Sequence, residues 1–414
     1  MSSRVLGWGA FIVALCVALC APRRAFALEP PTRVSVLTMG AGDHPFTRFG
    51  HNAILLEWEG GGQSRNAVYN YGTFEFDGLQ GATDFMAGRF RYWLSVGTLE
   101  GTLRSYAAAQ RSLTAQELDL TPAERAQLFA RLADNALPEH RYYDYDYYRD
   151  NCSTRVRDVL DQLLGGELKR GVVGSGRLTF RQHTLRLVGD TWWLYFGLDI
   201  ALGNPTSRET TRWEELFLPE ELHDALGRAT RTRDGHSAPL VRAERRLLSA
   251  KRAPLPHNPP ERRPAFALVG LALGGLLAAL GALAVRHPAA RALFGAVTAL
   301  LGGALGLLGL ALTIFSLSKH WAAHENVSLL ACPPWALALA VLGVSFAFRR
   351  HPKPARLLWT LGLSLAAACL LLLLSLLNSE SERMALLFVP VWAGWLSGAW
   401  LATTPPTLIP YPLR

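Results

Sequence analysis

The chain is poor in charge and poor in cysteine: charged residues make up 18% of its 414 positions, and there are five cysteines. Half of all residues are hydrophobic, which excludes a disordered or collagen-like chain. Four cysteines lie in or beside apolar end segments, Cys16 and Cys20 near the start, Cys332 and Cys369 towards the end. Cys152 is alone in the stretch between, so that stretch has no disulfide framework. The net charge of +9 raises the question of a polyanionic partner, but the cations are scattered. Neither a basic helix nor a zinc-finger spacing is present, and nucleic acid is therefore not an expected partner.

The mean hydropathy of +0.14 hides a split. Long apolar runs occupy the two ends, while residues 28–264 read as a normal globular mixture. At the front, Arg4 precedes an apolar stretch from Val5 to Ala21, then Arg23, Arg24 and the A-x-A pattern Ala25–Phe26–Ala27. This is the pattern of a secretory signal peptide over 1–27, or, because arginines intervene before the cleavage site, of an uncleaved anchor. Leu19 is too large for a lipobox ahead of Cys20. Either way the following segment is expected to be exported.

From Ala265 onward five apolar spans are expected at 265–285, 292–317, about 329–348, 357–377 and about 385–401, each near the ~20 residues that cross a bilayer as a helix. Arg286 and Arg291 separate the first two, and Arg349, Arg350, Lys353 and Arg356 separate the third and fourth. The positive-inside rule puts those loops and the 402–414 tail in the cytoplasm, with the globular part and the 318–334 loop outside. Arg262 and Arg263 stand on the wrong side in this scheme.

The exported part, 28–252, reads as α+β. Strands are expected around 33–39, 52–58, 66–71 and 91–98 from their β-branched and aromatic content. A helix over 121–136 starts with Thr121, Pro122 and Glu124, a capping box with proline at the first helical position. A second, over 152–164, carries Val156, Val159, Leu160, Leu163 and Leu164 on one face and stops at Gly165–Gly166. Prolines at 254, 256, 259, 260 and 264 make 253–264 a stiff linker into the membrane part.

A lone thiol in an oxidising compartment is either buried and inert or reactive. Cys152 follows Asn151 at a helix start, where unpaired N–H groups and the helix dipole favour a thiolate. Tyrosines 142, 143, 145, 147 and 148 precede it, as strand packing or as part of an acyl-chain pocket. A thiolate nucleophile needs a base. His51, which opens an apolar strand after Gly50 in FGHNAILL, is the best placed; histidines 44, 140, 183, 223, 236 and 257 lie in loop-like or polar contexts. Asn70 or Tyr69 in VYNYG is available to orient His51, or else packs within a strand.

A histidine opening a strand, followed by an N-C-S-T helix start, resembles the circularly permuted papain-like arrangement of NlpC-type and lecithin:retinol acyltransferase-like proteins. More closely, the chain is similar to the Lnb family of bacterial lipoprotein N-acyltransferases, through FGHNAILL at 49–56, VYNYGTFEF at 68–76, GRFRYWL at 88–94, NCSTRVRDVL at 151–160, FGLDIALGNP at 196–205 and ELFLPEEL at 215–222. The outer loop SKHWAAHENVSLL at 318–330 also resembles the family's, with His320 and Asn326 on its histidine and asparagine and Ser328 where a second asparagine is usual.

The resemblance implies an inner-membrane enzyme with its catalytic domain on the periplasmic side. It would transfer a fatty acyl group from phospholipid, through a Cys152 thioester, to the N-terminal amine of a diacylglyceryl-modified lipoprotein. His51 would move the protons, and no cofactor or metal is called for. Arg155 pairs with Asp158 at i, i+3 or receives a phosphate, and Arg89 has the same two readings. His320 is a surface histidine or closes the site over the bilayer interface. The alternatives are a papain-like cell-wall peptidase or amidase, and a non-catalytic envelope lipid-binding protein.

Overall fold

The computed structural model describes residues 29–60, 63–75, 78–233, 235–348 and 382–403, with scattered positions between 362 and 373. Its N-terminal part is built on β1 (Arg33–Met39), β2 (His51–Gly60), β3 (Gln63–Thr73), β4 (Arg91–Gly97), β5 (Leu113–Leu118) and β6 (Tyr142–Asp144). A hairpin of β7 (Thr230–Arg233) and β8 (His236–Pro239) leads into β9 (Val241–Leu248). The main sheet runs β6-β4-β3-β2-β1-β5-β9, with antiparallel pairing throughout.

Strand alternation sends Val34, Val36, Ile54, Leu56 and Tyr69 to one face, where they pack with Val156, Val159 and Leu160 of the Cys152–Leu163 helix. Leu37, Ala53, Leu55 and Val68 go to the other face, against Leu99 and Leu103 of the Leu99–Ala108 helix. The four expected strands occur with small boundary shifts, and three further strands join them. β9 is mostly exposed and half charged, and β6 has three residues, so neither carries an apolar alternation; β5 is buried along its whole length.

The two expected helices run Pro122–Asn135 and Cys152–Leu163. The first has both hydrogen bonds of its Thr121–Glu124 capping box. The second ends at Gly165 and Gly166, with φ of +61° and +82°, a region open to glycine at little cost.

Among the described residues of the C-terminal part, four helices are long and apolar enough to cross a membrane: Arg263–Ala284, Pro288–Leu317, Ser328–Phe348 and Glu382–Ala402. The span expected at 357–377 falls almost wholly outside the described residues. Small residues let the helices approach closely. A Cβ on Gly281 would lie 2.1 Å from Gly398 Cα, and one on Gly274 2.1 Å from the Pro390 carbonyl oxygen.

The two parts are fastened by polar contacts. Asp199, on the Trp192–Ala201 helix and 1% exposed, accepts from Arg181 at 3.1 Å and from Arg383 at 2.7 and 2.9 Å. Arg262 donates to the Gly189 carbonyl at 2.6 Å, and Arg263 pairs with Glu382 at 2.8 Å. Of the two arginines that contradict the charge rule, Arg262 thus joins the two parts, while Arg263 pairs two helix starts within the C-terminal part. Replacing Asp199 with Ala leaves two arginines without their shared carboxylate, and a loss of about 3–5 kcal/mol is expected, readable as a lowered melting temperature in detergent.

Candidate active site

The geometry of the candidate site begins with Asn151. Its Oδ1 accepts from the Ser153 and Thr154 N–H groups at 2.9 and 2.8 Å, its Nδ2 donates to the Tyr147 and Phe217 carbonyls at 2.8 and 2.9 Å, and its own N–H donates to Thr154 Oγ1 at 2.8 Å. One side chain therefore caps the helix and ties it to two loops. Cys152 is the first helical residue, and its N–H has no partner among the described residues. It is 6% exposed, at the positive end of the helix.

His51 arrives from the other side. A Cβ on Gly50 would lie 2.9 Å from the Met39 carbonyl oxygen, and Gly50 has φ +82°, so the residue ahead of His51 has to be glycine. His51 Nε2 is 2.5 Å from Asn70 Oδ1, which leaves Nδ1 for the sulfur. Gly72 lies beside the pair, where a Cβ would be in ordinary contact at 3.4 Å with both Cys152 Cβ and His51 Cε1, and its φ of +94° is what favours glycine there. Neither Gly72 nor this contact follows from spacing, although the glycine closing VYNYG is its visible trace.

Burial raises the pKa of the Cys152 thiol, but the His51 charge, a hydrogen bond to His51 and the backbone N–H groups of Asn52 and Ser153 outweigh it, and the net direction is down. For His51, burial works downwards, while the Cys152 charge, its hydrogen bond and the bond to Asn70 raise the pKa on balance. The two shifts together favour a thiolate–imidazolium pair.

A cavity of about 150 Å³ opens over the sulfur. Phe46, Phe49, Phe90, Tyr92, Tyr145 and Tyr147 supply much of its wall, and His320 and Trp321 of the loop after the Pro288–Leu317 helix complete it. His320 Nε2 is 2.5 Å from the Phe85 carbonyl oxygen, and Trp321 Nε1 donates to Asp146 at 2.5 Å beneath the Arg149 guanidinium. The Tyr147 hydroxyl is buried without a hydrogen-bond partner.

Other residues singled out by sequence lie elsewhere. Tyr69 is 5% exposed in the core and is not bonded to His51. Arg155 does not pair with Asp158; it forms a bidentate pair with Asp150 at 2.6 and 2.7 Å and stacks on Tyr143, while Arg157 takes Asp158. Arg89 is exposed and outside the cavity. Asn326 holds the end of the Trp192–Ala201 helix, donating to the Ile200 and Ala201 carbonyls at 2.8 and 3.0 Å, and its Oδ1 accepts from the Ser328 N–H at 2.8 Å. His183 is not in a loop but fully buried on a helix, 2.9 Å from Glu215. Among the described residues no group of three His, Cys, Asp or Glu side chains is placed to hold a metal.

The arrangement suits nucleophilic attack by sulfur on a carbonyl in an aromatic setting. A search of curated proteins and of solved structures finds no match for the chain. Residues 22–188, which include His51, Asn70 and Cys152, match the family model described as the Lnb N-terminal periplasmic domain, and behind that match, among the described residues, lie four helices long and apolar enough to cross a membrane, an arrangement that fits a membrane protein with a periplasmic domain.

Proposed function

We propose that the protein is a thiol-dependent acyltransferase that moves a fatty acyl group from membrane phospholipid to the N-terminal amine of lipid-modified lipoproteins. The observation that carries this reading is the His51–Cys152 pair inside a cavity whose wall includes the loop between two apolar helices. In this reading the protein sits in the inner membrane, residues 28–252 are periplasmic, and 253–264 link them to the bundle. The permuted papain-like order is supported by a histidine on a strand that precedes a cysteine at a helix start.

In the first half-reaction the Cys152 thiolate attacks the phospholipid ester carbonyl. The oxyanion takes the free Cys152 N–H, and the unpartnered Tyr147 hydroxyl is a fitting second donor. The carbon–oxygen bond breaks, the His51 imidazolium protonates the departing lysophospholipid alkoxide, and a thioester remains. In the second, the lipoprotein amine attacks the thioester, gives its proton to His51 and releases the thiolate as the amide forms.

Both substrates carry their reacting atoms at headgroup level, which suits a cavity closed by His320 and Trp321. A cell-wall peptidase or amidase needs a cleft open to a polymer, and the docked loop speaks against it. An inert lipid-binding protein gives no reason to depress a thiol pKa. The decisive experiment is mass spectrometry of a diacylated lipoprotein incubated with the protein and phospholipid. A Cys152-dependent triacylated product is expected; lysophospholipid beside unchanged lipoprotein would indicate a phospholipase instead.

A further inference from the structure

Beside the catalytic cavity lies a second and larger cleft, of about 800 Å³, and the two share Phe49, Gly50 and Pro219 as a common wall. Its floor is the loop Gly40–Ala41–Gly42. A Cβ on Gly40 would lie 2.3 Å from Ser112 Oγ and one on Gly42 2.5 Å from Thr47 Oγ1, so close packing leaves no room for a side chain at either glycine. The far wall is the start of the proline-rich linker, Ala250 to Pro256, which continues to the membrane helix beginning at Arg263.

We infer that this cleft receives the polypeptide of the acceptor, the residues that follow its lipid-modified N-terminal cysteine. The inference rests on the acyl-transfer reading of the neighbouring cavity. An acceptor whose amine reaches Cys152 has lipid on one side and polypeptide on the other, and the polypeptide needs a polar exit. The catalytic cavity is mainly aromatic, and the polar side chains Asp146 and His320 in its lining are already bonded to Trp321 and to the Phe85 carbonyl, whereas the adjoining cleft is lined by backbone and mixed charges. Three of its arginines are already neutralised: Arg48 by Asp190, Arg252 by Asp43 at 2.6 and 2.8 Å, and Arg186 by Glu221 at 3.3 Å. A phosphate headgroup is better recognised by cations that are free to pair with it, so a balanced lining fits a peptide of varied sequence.

The test uses the full-length protein in phospholipid vesicles, with two lining positions that are exposed and outside the catalytic machinery: Ala253→Trp, which fills the cleft, and Arg246→Glu, which changes its charge. Thioester formation on Cys152 is expected to match the parent protein in both. Transfer to a diacylated lipopeptide of about ten residues should fall about tenfold in at least the tryptophan variant, through KM, while transfer to diacylated cysteine amide stays unchanged. Equal loss with both acceptors, or no loss with either, overturns the assignment. Slower thioester formation overturns it too, by giving the cleft to the phospholipid. Absence of any thioester in the parent protein is a different result, which sinks the acyl-transfer reading and this inference together.

Discussion

Replacing Cys152 with alanine is expected to remove thioester formation and acyl transfer altogether, a loss of at least about 10⁴-fold, with folding retained. Serine should be nearly as damaging, because its hydroxyl is not deprotonated by an imidazole to any comparable extent. Both side chains fit the site without new volume, and the helix start is secured by five hydrogen bonds of Asn151 rather than by the sulfur. The check pairs an activity assay with a thermal unfolding curve. Full activity in a purified, folded Cys152→Ala protein would falsify the proposed chemistry.

The second large effect belongs to His51→Ala. In the parent protein the thiol pKa lies below its ordinary value because the His51 charge and hydrogen bond, with the Asn52 and Ser153 N–H groups, outweigh burial. Without the imidazole, burial still pushes the thiol up, and the Asn52 and Ser153 N–H groups alone oppose it. Alkylation of Cys152 should therefore proceed in the parent at pH well below ~8.5 and shift to higher pH in the variant, with the rate at pH 7 down tenfold or more. The sign on the other limb is set by His51, whose pKa is raised: transfer should climb as pH rises through the thiol pKa and fall as pH passes the imidazolium pKa, where the proton for the leaving alkoxide is lost. Removing the Asn70 partner frees the ring without deleting it, so Asn70→Ala should cost about tenfold with the bell shape retained. An alkylation profile identical in parent and His51→Ala would separate the two residues functionally.

Much of this was readable before any coordinates. A capping residue, a helix-start cysteine and a strand-start histidine are local features, set by backbone sterics and unpaired N–H groups within a few residues. Spans of about 20 apolar residues are equally local, because the bilayer imposes their length. Arg155 shows where such reasoning stops. Helical spacing offered Asp158, but Asp150 and the Tyr143 ring lie closer in space, on the chain entering the helix. Tyr69 and Asn70 show the same thing: adjacent strand residues face opposite ways, and only the pairing of β2 with β3 decides which one reaches His51.

The sequence by itself determined the division into a globular part and an apolar part, the lone thiol, and the identity of its histidine partner. Those follow from composition and short-range stereochemistry. Only the tertiary structure decided that Gly72 lies against both members of the pair, that Asn326 fastens a helix end instead of facing the cavity, and that the 318–334 loop closes the wall above Cys152. These depend on contacts between residues far apart in the chain, and no periodicity or spacing records them.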